Sequence, residues 1–329
     1  MKVEAHGIEQ NLLVRGPLDG PPVLLVHGNC SSAAYWAPLL RHLPEQWRIV
    51  APDLRGYGDT ETAPVDATRG LKDFSDDLAA LLDDSGVFAP GTPITVVGHS
   101  MGGGIATQLL IDHPDRVKAL VLESPLSPYG FGLGGAGAVN PGFVAALAAG
   151  DRSGDAPTTP RAVLRTCYVA DPASLGDDEE ALLDTVLSTA VGEGNYPGDA
   201  VPAEGWPGVR AGTRGVANAM DPGHHNVADD LLKLAGKPPI AWVRGDSDII
   251  VSDTSAFDLA YLGKIGVVPG WPGEQIAPPQ PMVRQTREVL DRYAAAGGSY
   301  REITFEGVGH SPHIERPEEF AAILREHVH

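Results

Sequence analysis

The sequence predicts an α/β fold with a mostly parallel central sheet, flanking helices and an inserted, partly helical cap. Short apolar runs alternate with helical patterns over residues 1–126, and this alternation returns from residue 240 onward. Strands that alternate with helices form βαβ units, whose strands are parallel. Between the two parts, roughly a hundred residues rich in Gly, Ala and Pro lack the alternation, which is too long a stretch for a structureless loop.

The first core part, residues 1–126, begins with a weakly alternating stretch, 3–14, that predicts a hairpin. Four later stretches are short and apolar, as expected of parallel strands that are covered on both faces: residues 23–26, 47–50, 94–97 and 117–122. Three helices are predicted between them: one capped by Ser31 or Ser32 and ending near Leu43, one at 73–82 and one at 101–113.

The inserted cap is assigned to residues 127–227 and the second core part to residues 228–329. The remaining elements are two helical windows in the cap, two strands and a last helix: residues 160–169, 179–191, 240–243, 300–305 and 317–327. A Pro/Gly-rich insertion at 263–281 interrupts the helical region that lies between the last two strands.

The composition restricts the partners of the chain. Its 329 residues carry a formal net charge of −19, so nucleic acid and anionic membrane surfaces would be repelled. The two cysteines, Cys30 and Cys167, lie far apart and are expected to be free thiols. Residues 1–10 do not have the pattern of a signal peptide, and no apolar stretch reaches membrane-spanning length. We therefore expect a cytoplasmic location, and a homodimer stays open.

A candidate nucleophile lies between a predicted strand and a predicted helix, in the motif Gly98-His99-Ser100-Met101-Gly102. At such a position the pattern G-x-S-x-G is typical of a nucleophile elbow, a sharp turn that exposes the serine and needs small neighbours. In a chain with 40 glycines the pattern alone would be weak support. Its place between strand and helix makes Ser100 the predicted nucleophile.

A serine hydroxyl is a poor nucleophile without a base. His310, which follows the last predicted strand, is the candidate base, and His313 is the second choice. An acid must orient this histidine, and Asp248, at the far end of the turn after the preceding strand, is preferred to Asp246. Glu123 is the alternative acid, because it ends the strand that follows the elbow helix.

Hydrolysis of a carbonyl compound also needs N–H donors for the oxyanion that forms. The elbow offers the backbone N–H of Met101, and the loop after the first core strand, residues 27–30, offers Asn29. His27 is expected to hold this loop rather than to react. Cys30 lacks the context of an elbow and is expected to be a packed thiol.

Together these motifs resemble the α/β-hydrolase superfamily, in its capped serine-hydrolase branch. The resemblance covers most of the core, in residues 23–32, 51–60, 98–102, 114–122, 245–251 and 309–320. It implies an α/β-hydrolase fold, a triad of Ser100, Asp248 and His310, oxyanion donors at Asn29 and Met101, and no cofactor. A serine in place of an aspartate argues against the haloalkane dehalogenase and epoxide hydrolase branches. The segment 53–58 is a hallmark of the family with an expected structural role.

The predicted function is hydrolysis of a carboxylic ester or lactone through an acyl-enzyme, as in carboxylesterases and lactonases. The long cap favours a bulky, largely apolar small molecule. An alternative is a hydrolase that cleaves a carbon–carbon bond in a diketo acid, whose charge an arginine of the cap could bind: Arg161, Arg165, Arg210 or Arg214. A further alternative is a hydrolase-like binding protein that turns over slowly.

Two other features of the cap have an ordinary explanation. His224 and His225 resemble a metal pair, but adjacent histidines rarely hold one ion without further ligands, so no metal is expected. Five aromatic residues either line an apolar pocket or simply pack the cap on the core: Tyr129, Phe131, Tyr196, Trp206 and Trp271.

Overall fold

The computed structural model describes residues 1–84 and 86–328, and an eight-stranded sheet forms its centre. Numbered in chain order, the strands lie side by side as β1 (Lys2–Ala5), β2 (Ile8–Arg15), β4 (Arg48–Pro52), β3 (Pro22–Val26), β5 (Ile94–His99), β6 (Val117–Glu123), β11 (Ile240–Gly245) and β12 (Tyr300–Phe305). β2 pairs antiparallel with β1 and β4, and the other neighbours pair in parallel. The predicted fold class is confirmed.

The opening hairpin is closed by a two-residue turn in which both residues have positive φ. His6 and Gly7, with φ of 54° and 74°, connect Ala5 to its partner Ile8. Two-residue hairpin loops favour such conformations, since their twist matches that of the strands. The hairpin then places β2 along the edge of β4, which extends the parallel sheet by two antiparallel strands.

Helices cover both faces of the sheet, as the continuous apolar strands require. They are α1 (Ala37–Leu40), α2 (Lys72–Asp84), α3 (Met101–Asp112), α8 (Ala228–Lys233), α10 (Met282–Ala295), α11 (Pro312–Glu315) and α12 (Pro317–His327), and a further helix, α9 (Leu259–Lys264), lies in the segment between β11 and α10. Alternate residues of a strand face opposite sides. Leu25 accordingly belongs to the core cluster that contains Phe320 of α12, whereas Leu24 belongs to the cluster that contains Ile105 of α3.

The helix predicted after β3 is shorter than expected and is capped differently. A 3-10 turn, Ala33–Trp36, leads into α1, which ends at Leu40. Ser32 lies at the N-cap position, but its side chain makes no capping bond. The N–H of Ala33 donates instead to Oδ1 of Asp53 at 2.7 Å, so a distant carboxylate takes the role that we predicted for a serine.

The cap segment leaves the sheet after β6 and returns at β11, which is the direct neighbour of β6. Its helices are α4 (Pro141–Ala148), α5 (Pro160–Val163), α6 (Glu179–Leu187) and α7 (Val216–Ala219), and its short strands are β7 (Val191–Gly192), β8 (Tyr196–Pro197), β9 (Ala200–Pro202) and β10 (Val209–Ala211). Both predicted helical windows are present, although the first continues from α5 into a π-helical turn, Leu164–Tyr168. The helix α4 and the short strands were not predicted, and the division at 127–227 stays a prediction.

Parallel pairing brings six strand ends to one edge of the sheet. The segments that follow β3, β4, β5, β6, β11 and β12 all leave at this carboxyl edge, which is where open α/β sheets bind ligands. The candidate residues of the predicted site lie at this edge, on the segments that follow β3, β5, β11 and β12 or, for Glu123, at the end of β6. Among the described residues, no helix combines the length and apolar character that crossing a bilayer requires.

Candidate active site

Ser100 occupies a strained turn between β5 and α3. Its φ of 56° and ψ of −121° are rare for a residue with a side chain. Backbone hydrogen bonds hold this conformation: the Ser100 N–H donates to the Glu123 carbonyl at 2.9 Å, and the Ser100 carbonyl accepts from Gly103 and Leu126, both at 2.9 Å. The surrounding fold therefore imposes the geometry that an elbow requires, and the serine side chain stays partly exposed.

The glycines around Ser100 are required by close backbone approach. A Cβ on Gly98 would lie 2.3 Å from the Gly102 carbonyl oxygen, and one on Gly102 would lie 2.2 Å from the Val26 carbonyl oxygen. A Cβ on Gly28 would lie 2.9 Å from Cβ of Ser100. The need for small neighbours that the motif predicts is thus met by direct contacts, including one from the β3 loop.

His310 and Asp248 form a buried hydrogen-bonded pair. Nδ1 of His310 lies 2.8 Å from Oδ2 of Asp248, and the two side chains are 2% and 3% exposed. The other carboxylate oxygen, Oδ1, accepts from the N–H groups of Ile250 and Val251 at 2.7 and 3.0 Å. An ionised carboxylate satisfies these three donors, so the Nδ1 of His310 carries the proton and its Nε2 is free to act as an acceptor.

The backbone of His310 is tied to the elbow through His99, the residue before the candidate nucleophile. Nε2–H of His99 donates to the His310 carbonyl at 3.0 Å, and the two rings lie 4.8 Å apart. Burial and the neighbouring histidines lower the pKa of His99 well below its usual range, so this ring is a neutral donor. The structure therefore holds the His310 loop directly beside the Ser100 turn.

Glu123, the alternative acid, pairs with a different histidine. Both of its carboxylate oxygens lie 2.9 Å from Nδ1 of His313, and Oε1 also accepts from the His313 backbone N–H at 2.7 Å. Both side chains are fully buried. Asp246, the less favoured acid, is exposed and accepts from the Gly307 N–H. Of the candidate acids, Asp248 is the one that the structure brings to His310.

Neutral hydrogen bonds hold the loop after β3. Nδ1–H of His27 donates to the Gly28 carbonyl at 2.8 Å, and its Nε2 accepts from the Leu54 N–H at 3.0 Å. Burial lowers the pKa of His27 to about 4, so the ring stays neutral, which agrees with the predicted structural role. The Tyr57 hydroxyl donates to Oδ1 of Asn29 at 2.7 Å, which gives the hallmark segment a direct contact with the candidate oxyanion loop.

Comparison with known families agrees with this geometry. A family model described as the alpha/beta hydrolase fold matches residues 21–185, which is half of the chain and includes the elbow. The chain belongs to this family. The match ends at residue 185, inside the cap segment. The evidence that the rest of this α/β hydrolase has the same fold is the sheet topology, in which β11 and β12 continue the parallel sheet.

The curated proteins that the chain resembles include several that are hydrolases by name. The chain is 42% identical to a putative carbamate hydrolase, RutD, of Variovorax paradoxus over 116 residues, which are 35% of this chain and 41% of that protein. It is 42% identical to the lipase LipV of Mycobacterium tuberculosis over 113 residues, which are 33% of this chain and 39% of that protein. The chain thus spans about two-fifths of the length of these curated relatives.

Solved structures resemble this α/β hydrolase over its whole length. A thermophilic esterase from Thermogutta terrifontis has a TM-score of 0.61 and 20% identity, with 99% of this chain and 96% of that chain covered. The enol-lactonase from Burkholderia xenovorans LB400 has a TM-score of 0.63 and 16% identity, with 99% and 98% covered. At such identities the likeness concerns the fold.

Cys30, the one cysteine near the site, has the surroundings of an inert thiol. It is buried on the loop after β3, and burial raises its pKa to about 12. A reactive cysteine needs a lowered pKa and access to solvent. The thiol is therefore protonated at neutral pH, as expected for a packed side chain.

His224 and three of the four candidate arginines of the cap make ordinary polar contacts. Nδ1 of His224 lies 3.0 Å from the Asn218 carbonyl oxygen, and the described part of the chain contains no cluster of three or more side chains that could hold a metal ion. Arg210 is exposed on β10. The other three candidate arginines form ion pairs with cap carboxylates: Arg161 with Glu179 and Glu180, Arg165 with Glu179, and Arg214 with Glu193.

The five aromatic residues singled out from the sequence pack in three places. Tyr196 is buried and packs edge-on against Phe143. Trp206 and Trp271 instead hold the insertion at 263–281, through indole N–H bonds to the carbonyls of Pro269 and Ala277 at 3.1 and 2.9 Å. Tyr129 and Phe131 are partly buried against the main core. Packing therefore accounts for all five.

Sequence reasoning missed Tyr168, which lies at the end of the π-helical turn. Its hydroxyl donates to the Asn29 carbonyl at 3.2 Å, and its ring lies edge-on to His310 with centroids 6.2 Å apart. Single π-turns are frequent at functional sites, but nothing in the sequence marks this turn before the structure is known.

Proposed function

We propose that this α/β hydrolase cleaves a carboxylic ester or lactone through an acyl-enzyme on Ser100. The observation that carries the proposal is the buried Asp248–His310 hydrogen bond on a loop tied to the strained Ser100 turn. A nucleophile, a base and an orienting acid on adjacent loops are the parts that acyl transfer requires.

In the proposed reaction, Nε2 of His310 takes the hydroxyl proton of Ser100 while Oγ attacks the carbonyl carbon of the substrate. The tetrahedral intermediate then collapses, and His310 returns the proton to the leaving alkoxide, which departs as an alcohol from an ester and stays attached to the acyl group as a hydroxyl from a lactone. Water attacks the acyl-enzyme with the same base and releases the carboxylic acid. Asp248 keeps the proton on Nδ1 and stabilises the imidazolium in both halves of the reaction.

The proposed oxyanion donors are the backbone N–H groups of Met101 and Asn29. Met101 is the first residue of α3, and the first N–H groups of a helix have no partner within the helix and carry its positive dipole end. Asn29 is partly exposed, and its side chain and carbonyl are already fixed by Tyr57 and Tyr168. Each donor of this kind is worth about 3 to 4 kcal/mol in the transition state.

The substrate class is supported by the names of the relatives and by the cap. Carbamates, esters and lactones all react by attack on a carbonyl carbon, which the same site would stabilise. A diketo acid would need a free cationic partner, whereas three of the candidate arginines are engaged within the cap. We therefore favour an uncharged small-molecule ester or lactone.

The test is a substrate panel with a matched inactive variant. Wild type should turn over p-nitrophenyl esters or simple lactones faster than the matching amides, and Ser100→Ala should lose about three to six orders of magnitude in kcat with its circular dichroism unchanged. A burst without steady turnover would indicate the slow binding protein instead. Undiminished ester turnover by Ser100→Ala would overturn the proposal.

A further inference from the structure

Glu315 is a buried carboxylate that the proposed reaction does not use. It ends α11, five residues after His310, and is 7% exposed. Its Oε1 accepts from the Gly309 N–H at 2.6 Å. Its Oε2 accepts from the N–H groups of Ala170 and Asp171 in the cap, both at 3.1 Å. One carboxylate thus joins the residue before His310 to the cap.

The cap segment that Glu315 binds also contacts the oxyanion loop. We call residues 168–171 the clasp segment. At its start, the Tyr168 hydroxyl donates to the Asn29 carbonyl, while the Tyr168 ring packs against His310. Four residues of the cap therefore contact both the loop of the proposed base and the loop of a proposed oxyanion donor.

The contact between the clasp segment and the His310 loop leaves no space for a side chain at Gly309. A Cβ on Gly309 would lie 2.6 Å from the Ala170 nitrogen and 3.1 Å from Oε1 of Glu315. On its other side, the His310 carbonyl accepts from His99 of the elbow. The peptide units around His310 are thus held between the cap and the elbow, with Glu315 as the acceptor on the cap side.

We propose that Glu315 is a positioning residue that couples the clasp segment to the His310 loop, so that the cap sets the geometry of the base as well as enclosing the substrate. The inference rests on the proposed role of His310. An ionised carboxylate can accept from all three N–H donors, and such charge-assisted bonds are about twice as strong as neutral ones. A glutamine has one acceptor oxygen and would turn its NH₂ group toward an N–H donor.

The experiment compares Glu315→Gln with wild type on p-nitrophenyl acetate, a substrate too small to depend on the cap for binding. We expect kcat to fall about 10- to 100-fold with KM within about threefold, because misplacing a catalytic group by about 1 Å can cost about 100-fold. The rate at which a fluorophosphonate labels Ser100 should fall by a similar factor, since labelling uses the same base and oxyanion donors.

Two controls separate positioning from stability. Glu319→Gln removes an exposed carboxylate on the adjacent α12 and should change neither rate. Glu302→Gln removes the ion pairs to Arg244 and Arg287 on the sheet edge. Glu302→Gln should lower the melting temperature and leave kcat unchanged well below that temperature. Glu315→Gln would show the same pattern if the role of Glu315 were purely structural.

The outcomes distinguish this inference from the proposed function. If wild type is labelled on Ser100 and Glu315→Gln keeps its kcat and labelling rate, the inference is wrong and the proposed function stands. If wild type is not labelled and Ser100→Ala stays active, the proposed function itself fails. Should Glu315→Gln not fold, Tyr168→Phe decides: a loss of about 3- to 10-fold in kcat supports the clasp, and an unchanged kcat overturns it.

Discussion

Replacing Asp248 with asparagine should invert the protonation of His310. Oδ1 of Asp248 faces two N–H donors, those of Ile250 and Val251. In Asp248→Asn the amide oxygen must keep accepting from these two N–H groups. If the NH₂ group faced them instead, the two backbone donors and the NH₂ group would all be left without an acceptor. The NH₂ group then faces Nδ1 of His310, which must become an acceptor, and the proton moves to Nε2. That tautomer cannot accept the proton of Ser100.

The same substitution at Glu123 should cost little catalysis. The Oε1 of Glu123 already accepts from both the backbone N–H and the Nδ1 of His313. In Glu123→Gln the amide oxygen can keep both bonds, so His313 and the loop around it stay in place. We expect kcat within about tenfold of wild type for Glu123→Gln, and a loss of about four orders of magnitude, or about 5.4 kcal/mol, for Asp248→Asn.

The assay measures kcat on p-nitrophenyl acetate for both variants and for Asp246→Asn, an exposed aspartate on the same turn that serves as the matched control. Circular dichroism and the melting temperature establish that each variant is folded. A near-wild-type Asp248→Asn beside an inactive, folded Glu123→Gln would refute the reasoning and give the role of the acid to Glu123.

Three further predictions concern packing, acid stability and thiol chemistry. Gly102→Ala should lower the free energy of unfolding by roughly 3 kcal/mol in urea titration, because the new Cβ would meet the Val26 carbonyl oxygen at 2.2 Å; an equal loss in Gly236→Ala, where a Cβ meets nothing, would refute this. Burial lowers the pKa of His225 from 6.5 to about 4, so the unfolded chain binds a proton that the folded protein does not, and stability present above pH 6.5 is lost as the pH falls toward 4, by up to ~3 kcal/mol. His225→Leu should therefore shrink the drop in melting temperature between pH 7 and pH 4.5, and an unchanged drop would contradict the argument. Cys30, whose pKa is raised to about 12, should resist iodoacetamide in the folded protein at pH 8 and react in urea, as peptide mass spectrometry would show; rapid alkylation that abolishes activity would count against its inert role.

The elbow could be predicted from the sequence because its tight backbone contacts require glycine at particular positions. Only small residues tolerate the approach of Gly98 to Gly102 and of Gly102 to Val26, so the chain must carry glycines at these positions. The parallel strands were equally visible, since burial on both faces demands an uninterrupted apolar run. These signals are local, and they pointed to Ser100 and to the loop of His310, which the structure places side by side.

The choice between the two acids could not be made from the sequence. Asp248 follows β11 and Glu123 ends β6, and both strands end at the same edge of the sheet. Which histidine each one reaches depends on side-chain contacts between residues that are 62 and 190 positions apart. The capping of Ala33 by Asp53 was missed for the same reason, because the acceptor lies on the segment after β4, 20 positions away in the sequence.

The cap was less predictable because few of its elements are periodic. Its helix α4 does carry start signals, with Asn140 as N-cap and Pro141 at the first position. These signals were obscured by the Gly- and Ala-rich surroundings. The contacts of Tyr168 and Glu315 depend on how the cap folds back over the core, which no pattern within either segment encodes.

The most direct test of the account is to identify the atom that carries the acyl group. Rapid acid quenching during turnover of p-nitrophenyl butyrate, followed by intact-mass and peptide mass spectrometry, would trap the intermediate. The account predicts one butyryl group per chain on the peptide that contains Ser100, and none in Ser100→Ala. A butyryl group on Cys30, or full turnover by Ser100→Ala with no adduct anywhere, would contradict it.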